Sequence, residues 1–202
     1  MPSEKILKKR ERQRANIIEI AGEIFATHGF KKTTMDEIAK AANMGKSSLY
    51  YYFKSKEEVF IAVIKAEATI LAEKLQEKVI SQDISPIEKL KAYVHVRMTY
   101  LKELANYYAL LKSDYLSNLA FTEKLRKNID KNEEATFQQI LEEGIRKGIF
   151  QLTGPKFTAI TIVNALKGLE HALILREEIS EEQLQAHLEQ TINILFHGIL
   201  KR

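Results

Sequence analysis

The chain has 202 residues, of which 45% are hydrophobic and 29% are charged, so it can form a packed core and does not have the composition of a disordered polypeptide. It contains no cysteine, which excludes disulfide bonds and thiolate metal sites, and its eight glycines and three prolines favour helices joined by short loops. The net charge of +4 is uneven, because residues 1–56 carry 12 basic and 6 acidic side chains whereas the remainder carries 19 basic and 21 acidic ones. This distribution is expected when only the basic segment meets phosphates.

The amino terminus gives no sign of export. Met1–Lys5 leads directly into a charged segment and lacks the apolar core of a secretory signal. No run of residues approaches the roughly 18 apolar positions that a membrane-spanning helix needs. The absence of cysteine also fits a reducing compartment. We therefore expect a soluble, cytoplasmic protein.

Three helices are predicted in the first quarter of the chain. Apolar side chains from Ile17 to Phe25 follow helical spacing, and Gly29 then stands where a left-handed cap belongs. Thr34–Glu37 has the spacing of a capping box and begins a second helix, which breaks near Asn43–Gly45. A third short helix is predicted over 46–53. Two short helices joined by about three residues have the size of a helix-turn-helix, here at about residues 34–53.

Further capping signals predict the helices that follow. Ser55–Glu58 begins a long fourth helix that extends to about Ile80. Ser85, with Pro86 at the first helical position, begins a fifth that continues or kinks near Asn106. The remaining helices are predicted over 107–117, 121–147, 155–178 and from Ser180 to the carboxy terminus.

No segment alternates like a β-strand, so the predicted fold is all-α with about nine helices. We predict two domains, which are a three-helix DNA-binding domain over residues 1–54 and a helical bundle over residues 55–202.

One face of the third predicted helix has hydroxyl groups and a cation. Ser47, Tyr50, Tyr51 and Lys54 are spaced i, i+3, i+4 and i+7, so they share a face. Tyrosine hydroxyls and lysine ammonium groups can reach phosphates, while serine hydroxyls and Lys46 can reach base edges. These side chains suit a DNA groove.

The opposite face of the same helix can anchor it. Leu49 and Phe53 are four residues apart and can pack against the preceding helices. The competing interpretation is that the three consecutive tyrosines are buried in the hydrophobic core. It is retained for Tyr52, which leans towards the anchoring side. Burying Tyr50 and Tyr51 as well would require a core on both faces of a helix barely two turns long, so we expect this pair to contact DNA.

Residues His28–Phe30, Thr33–Ala39 and Ser48–Glu58 closely resemble the DNA-binding head of the tetracycline-repressor (TetR) family, and the match extends over about residues 14–60. Beyond it, the chain resembles the family only in the number and layout of its helices and in the segment Leu141–Gly148. Many family members have Ser or Thr where this chain has Gly45, which supplies no hydroxyl for a phosphate. By motif position, the resemblance implies DNA contacts from Thr34, Lys46, Ser47, Ser48, Tyr50, Tyr51 and Lys54.

The resemblance also implies a homodimer whose two recognition helices occupy successive major grooves of a palindromic operator. The last two predicted helices are broadly apolar and would form the dimer interface, although an intramolecular core is the alternative for them. The residues expected at this interface are Ile160, Gly168, Leu188, Ile192, Leu195 and Phe196.

A ligand cavity within the carboxy-terminal helices is a further implication of the resemblance. The fifth to eighth predicted helices carry many aromatic side chains and a few polar ones, which suits an apolar or aromatic small-molecule effector. We expect the pocket to be lined by Tyr93, Arg97, Met98, Tyr108, Phe137 and Asn164. For each of them ordinary core packing is the alternative, and Asn164 could instead face the dimer interface. By the same resemblance, the default expectation is a repressor that the effector releases from DNA.

Two other classes of function are less consistent with the sequence. The five histidines form no H-E-x-x-H motif, and Gly45–Ser47 resembles the end of a phosphate-binding loop only in part, because Lys40 stands where that loop needs its first glycine. We therefore expect no enzymatic activity, no cofactor and no metal. The alternative function is a helical ligand carrier or scaffold that does not bind DNA, and such a protein would show no preference for any DNA sequence.

Overall fold

The computed structural model describes residues 4–104, 106 and 119–175, together with residues 182–183, 186, 189–190 and 192–194. The regular elements formed by these residues are helices, which confirms the predicted all-α fold. None of the described helices is long and apolar enough to cross a membrane.

The chain forms two compact units. The first consists of the described residues within Met1–Ile70 and Leu104–Ala109, and the second consists of those within Leu71–Glu103 and Leu110–Arg202. The first unit therefore extends beyond residue 54, where the sequence places the end of the DNA-binding domain. That functional boundary stays a prediction.

The first unit contains the helices α1 (Glu4–Lys32), α2 (Met35–Ala41) and α3 (Lys46–Tyr52), and also the part of α4 (Lys56–Leu75) that ends at Ile70. The buried residues of α1 are Ile17, Ala21 and Phe25. Their spacing of four residues places them on one face of the helix, which packs against the core. α2 packs against both α1 and α3. The bounds of α2 and α3 lie within one or two residues of the predicted ones.

Aromatic rings join α1 to α4. The ring centroid of Phe25 lies 5.7 Å from that of Phe30 and 5.1 Å from that of Phe60, and the last two are 4.9 Å apart. Lys56 at the start of α4 closes this cluster, because its Nζ donates to the carbonyl oxygens of Phe30 (2.7 Å) and Thr33 (2.8 Å). These contacts hold the end of α1 against the beginning of α4.

Gly29 interrupts the regular geometry of α1. Its φ of +76° is the positive value that the sequence predicts for a helix cap, but its ψ of 157° is extended rather than left-handed helical. The Thr33 hydroxyl donates to the Gly29 carbonyl oxygen at 2.9 Å and thereby satisfies a carbonyl near the end of the helix.

A short segment after α5 completes the first unit. The Asn106 side-chain amide donates to the carbonyl oxygen of Gly22 at 3.1 Å and to Oε1 of Glu67 at 2.7 Å. Asn106 is almost completely buried, so these hydrogen bonds are shielded from water.

The second unit begins with the end of α4 and a π-helical turn (Gln76–Ile80). It continues with α5 (Pro86–Glu103), α6 (Leu119–Arg146) and α7 (Pro155–Leu175). The predicted fourth helix thus has the correct span, but its last five residues form wider turns. The predicted helix over 107–117 lies outside the described residues, as do the capping box at Ser180 and parts of the last helix.

In the described part of this unit, α6 packs against both α5 and α7. Two ion pairs accompany this packing: Lys89 of α5 lies 3.1 Å from Glu143, and Lys167 of α7 lies 2.5 Å from Asp130. The end of α6 is fixed by the turn that leads to α7. The Gly144 carbonyl oxygen accepts hydrogen bonds from the backbone N–H groups of Ile149 (2.9 Å) and Phe150 (3.2 Å).

Candidate nucleic-acid interface

The inner face of α3 fixes the orientation of this helix. Leu49 and Phe53 are completely buried, as the i, i+4 spacing predicts. The backbone N–H of Phe53 donates to the Leu49 carbonyl oxygen at 3.0 Å and closes the last turn. Since α3 has only seven residues, burying these two side chains leaves the opposite face to solvent.

The outer face of α3 is exposed as expected. Tyr50 retains 38% and Tyr51 retains 60% of its full exposure, and Ser47 and Lys54 on the same face are exposed as well. Tyr52 is half-buried and its ring meets the ring of Tyr51 edge to face, with 5.3 Å between centroids. The core interpretation therefore applies only in part to Tyr52 and does not apply to Tyr50 or Tyr51.

Lys46 at the start of α3 is tied to α2. Its Nζ donates to Oδ2 of Asp36 at 2.9 Å, and this hydrogen bond raises the pKa of the Lys46 ammonium group above its ordinary value. Lys46 is therefore cationic at neutral pH and is held at the junction of the two short helices. Gly45 caps α3 without a side-chain hydrogen bond, as expected for a residue that has no hydroxyl.

Thr34 caps α2 with its side chain. Its Oγ1 accepts a hydrogen bond from the backbone N–H of Glu37 at 3.2 Å, and the residue remains exposed. The predicted capping box is only half formed, because the Glu37 carboxylate lies 2.6 Å from Nδ1 of His28 on α1. The Thr34 hydroxyl thus stands at the exposed amino-terminal end of a helix, where a phosphate could also approach.

The capping box predicted between α3 and α4 is also only half formed. The Ser55 hydroxyl accepts from the backbone N–H of Glu58 at 3.2 Å, as predicted. The Glu58 carboxylate accepts from the backbone N–H of Lys54 at 2.7 Å, whereas a regular capping box would pair it with Ser55. The Lys54 side chain lies along α3 and donates to the Tyr50 carbonyl oxygen at 3.3 Å.

Two arginines of α1 that are not among the predicted DNA contacts reach the rings of Tyr51 and Phe53. The Arg10 guanidinium lies 5.0 Å from the centroid of the Tyr51 ring, and the Arg14 guanidinium lies 4.8 Å from that of Phe53. These positions are seven and three residues before Ile17, so they continue the core face of α1. That spacing is the signal that could have identified them.

Most predicted effector-pocket residues lie together in the core of the second unit. Tyr93, Met98 and Phe137 are buried, and the rings of Tyr93 and Phe137 have centroids 4.4 Å apart. Asn164 is instead exposed on α7. Tyr108 lies outside the described residues.

Arg97 adds a buried charge to this core. Only 2% of it is exposed, and its guanidinium donates to both carboxylate oxygens of Glu133 on α6, at 2.5 and 3.1 Å. The Tyr93 hydroxyl lies 3.4 Å from Glu133 Oε1, and burial raises the pKa of Tyr93 well above its ordinary value. Tyr93 is thus a neutral hydroxyl at physiological pH.

An open groove of about 830 Å³ lies elsewhere in this unit, at the turn between α6 and α7. Its lining includes Ile145, Phe150, Leu152 and Phe157, and none of the predicted pocket residues that the structure describes is among its lining residues.

The predicted interface residues on α7 are more exposed than core residues. Gly168 is exposed and Ile160 is half-buried, and exposed Phe157 and Asn164 continue the same stripe at seven- and four-residue intervals. Ile192 of the last predicted helix is buried. Leu188, Leu195 and Phe196 lie outside the described residues.

Comparisons with known proteins agree with this geometry. Residues 17–63 match the family described as bacterial regulatory proteins, tetR family. The chain is 29% identical over 151 residues to the HTH-type transcriptional regulator YhgD of Bacillus subtilis. The aligned region covers 73% of this chain and 76% of that protein. It is 27% identical over 155 residues to the HTH-type transcriptional regulator QacR of Staphylococcus aureus, with 76% and 81% covered.

A solved structure extends the similarity to the second unit. The crystal structure of a transcriptional regulator from Cytophaga hutchinsonii is 28% identical, covers 92% of this chain and 97% of its own, and has a TM-score of 0.76. An all-helical chain with a helix-turn-helix and this outward face on α3 is a DNA-binding transcriptional regulator. Residues 17–63 match the DNA-binding domain of the TetR family, and the chain as a whole is similar to transcriptional regulators.

Proposed function

We propose that the chain acts as a homodimeric repressor which binds a palindromic operator and is released from it by a small molecule bound in the second unit. The observation that carries the DNA-binding part is the division of α3 into a buried face, formed by Leu49 and Phe53, and an exposed face with Tyr50 and Tyr51. A helix anchored in this way presents fixed side chains to a major groove.

The proposed contacts divide into two roles. Side chains at the beginning and middle of α3 read base edges, and the others hold the phosphate backbone, which positions the protein without reading sequence. The proposed base-reading residues are Lys46, Ser47, Ser48 and Tyr50, and the proposed phosphate contacts are Thr34, Tyr51 and Lys54.

Dimerisation is proposed through α7 and the last predicted helix. The exposed stripe of α7 contains Phe157, of which 76% is exposed, and ends at Gly168, where no side chain would keep a second helix away. Asn164 lies between them and fits this interface better than the pocket. A dimer would also supply the second recognition helix, since one short helix makes too few contacts for specific binding.

The effector site is proposed around Tyr93, Arg97, Met98 and Phe137. These side chains combine apolar and aromatic surface with one charged pair and one neutral hydroxyl, which is the composition of a small-molecule pocket. Tyr108 is proposed for the same site by its position in the sequence. The proposed effector is apolar or aromatic, and no cofactor, metal or enzymatic step is part of the mechanism. A protein that acts on DNA in this way would work in the cytoplasm.

Helix α4 is the proposed route from effector to DNA. Its residues up to Ile70 belong to the first unit and its last residues belong to the second, and its first turn is capped by Ser55. An effector can shift the equilibrium only if it binds one arrangement of the heads more tightly than the other. We infer that the effector favours an arrangement in which the two α3 helices no longer match successive grooves.

Selection of bound duplexes from random DNA by the full-length protein tests the proposal. We expect an enriched palindrome whose half-sites are centred about 10 base pairs apart, or a multiple of that spacing. A helical ligand carrier would enrich no sequence at any salt concentration. That outcome would replace the proposed function with the carrier alternative.

A further inference from the structure

We propose that residues 4–16, the first half of α1, bind DNA phosphates that flank the base pairs read by α3. We name this segment the N-terminal arm. The inference rests on the proposed binding of DNA by α3 and extends it to a second contact surface. The arm precedes the residues 17–63 that match the family.

The arm is a helix that contributes no buried side chain to the core. α1 begins at Glu4, but its first buried residue is Ile17. The 13 residues of the arm extend about 20 Å at a rise of about 1.5 Å per residue. All of them are exposed except Gln13, which is half-buried. The arm therefore extends α1 beyond its buried residues, and its base lies against α3 through Arg10 and Arg14.

The charge of the arm suits a polyanion. It holds six basic and two acidic residues, and one acidic residue, Glu4, pairs with Lys8 at 2.7 Å. Within the described part of the chain, no carboxylate lies in ion-pair range of Lys5, Lys9 or Arg12. These three side chains lie within about a quarter of the helix circumference, since their spacings are four and three residues. They form a row of cations available to phosphates.

The arm is also adjacent to the proposed DNA surface. The Arg10 guanidinium lies over the ring of Tyr51, which is exposed on the outer face of α3. Arg14 lies over Phe53 at the inner face of the same helix. These two contacts fix the base of the arm beside α3, so the free cations begin within one or two helical turns of the side chains that meet the groove.

A protein partner is the other occupant to be weighed, because Ile6 and Leu7 in the arm are exposed. Two apolar side chains are a small patch, whereas six cations are a strong match for a phosphate backbone. The contact between Arg10 and Tyr51 also places the arm beside DNA whenever α3 is bound. DNA is therefore the occupant that the observations favour.

The test uses the full-length triple variant Lys5→Gln, Lys9→Gln, Arg12→Gln. Its matched control is Lys127→Gln, Lys131→Gln, Lys156→Gln, which removes the same charge from exposed positions of α6 and α7. The probes are the duplex selected by the wild-type protein, either trimmed to its two half-sites or extended by about 8 base pairs on each side. Affinity is measured as a function of salt concentration, and circular dichroism checks that both variants remain helical.

We expect the arm variant to lose most of the affinity that the wild-type protein gains from the added flanks. Its slope of log affinity against log salt should fall by up to about 5, which corresponds to about 0.9 for each of six phosphate contacts in a dimer. Its preference for the selected sequence over a scrambled one should persist, because α3 is unchanged. The control should behave as the wild-type protein, and the charge-preserving variant Lys5→Arg, Lys9→Arg should retain the wild-type slope.

Two results would overturn the proposal. If the arm variant and the control have the same slope and the same gain from flanks, the arm does not bind DNA, and a role in binding another protein becomes the better explanation. If the arm variant loses sequence preference at an unchanged slope, the arm acts through α3 instead of through phosphates. A wild-type protein that prefers no sequence would instead refute the proposed function itself.

Discussion

Lys46 and Lys54 lie at opposite ends of α3 and have different surroundings. Lys46 is held by Asp36 of α2 at 2.9 Å, so its ammonium group is directed towards the junction of the two short helices. Lys54 folds along α3 and donates to the Tyr50 carbonyl oxygen, a weaker contact at 3.3 Å. The first residues of a recognition helix contact base edges, which supports a base-reading role for Lys46 and leaves a phosphate contact to Lys54 beyond the end of α3.

This difference leads to the first prediction. Lys46→Ala and Tyr50→Ala should weaken binding to the selected operator much more than binding to a scrambled duplex, because they remove base-reading groups. Lys54→Ala should weaken both duplexes alike and lower the salt slope by about 2 for a dimer, at about 0.9 per phosphate contact. Fluorescence titrations at several salt concentrations measure both quantities. Equal losses on all sequences from Lys46→Ala and Tyr50→Ala would contradict the base-reading roles.

The second prediction concerns the buried ion pair of Arg97 and Glu133. Glu133→Gln removes the buried carboxylate that accepts two hydrogen bonds from Arg97, so we expect the free energy of unfolding to fall by about 3–5 kcal/mol. The double variant Arg97→Met, Glu133→Leu removes both charges and should recover most of that loss. Urea denaturation measures the difference. If the single variant is as stable as the wild-type protein, the Glu133 carboxylate does not compensate the buried Arg97 charge, which would contradict this account of the pair.

At the scale of helices, the turn after α6 depends on one close approach. The Phe150 ring packs directly on Gly144 of α6, and a Cβ built on Gly144 would overlap that ring. The backbone N–H groups of Ile149 and Phe150 also donate to the Gly144 carbonyl oxygen. The ring position and the backbone turn are thus fixed together, and they lead directly into α7.

We therefore predict that Gly144→Ala destabilises the protein even though alanine favours helices. Overpacking of this kind costs about 1–3 kcal/mol, which exceeds the gain in helix propensity of about 1 kcal/mol. Thermal denaturation followed by circular dichroism measures the effect. The double variant Gly144→Ala, Phe150→Ala removes the overlap. It should therefore be no less stable than the single variant Phe150→Ala. If Gly144→Ala alone raises the melting temperature, the turn does not depend on this contact.

The helices themselves were well predicted from local patterns. Pro86 begins α5 and Ser85 forms a complete capping box, with reciprocal hydrogen bonds to Glu88 at 3.2 and 2.9 Å. The other two described boxes are incomplete, since the carboxylate of Glu37 lies beside His28 and that of Glu58 accepts from Lys54. Sequence spacing shows which hydroxyl caps a helix, but the partner of a long acidic side chain depends on what tertiary packing brings near it.

Across the whole molecule, the same distinction separates what the sequence could predict from what it could not. Burial of Leu49 and exposure of Tyr51 follow from periodicity within one short helix. The pairing of Arg97 with Glu133, 36 residues away, depends on how α5 packs on α6 and has no local signal. The contact of Arg10 with Tyr51 is of the same kind, although its spacing from Ile17 does place it on the core face of α1.

The proposed dimer gives a prediction at this scale. Gly168→Glu should convert a dimer into a monomer at concentrations of about 10 μM, because it places like charges opposite each other in a self-complementary interface. Among the described residues, no atom lies within 4 Å of a Cβ added at Gly168, so the new side chain meets none of them. Gln139→Glu on the exposed side of α6 is the control and should remain dimeric. Sedimentation velocity distinguishes the two states, and an unchanged dimer for Gly168→Glu would place the interface elsewhere.

The most direct test of the central claim is the ratio of two affinities of the full-length protein. One is for the selected operator, and the other is for a scrambled duplex of the same length and composition, both at about 0.15 M salt. A regulator that reads DNA with the outer face of α3 should bind the operator about a thousandfold more tightly or better. A ratio near one would show that this face reads no sequence.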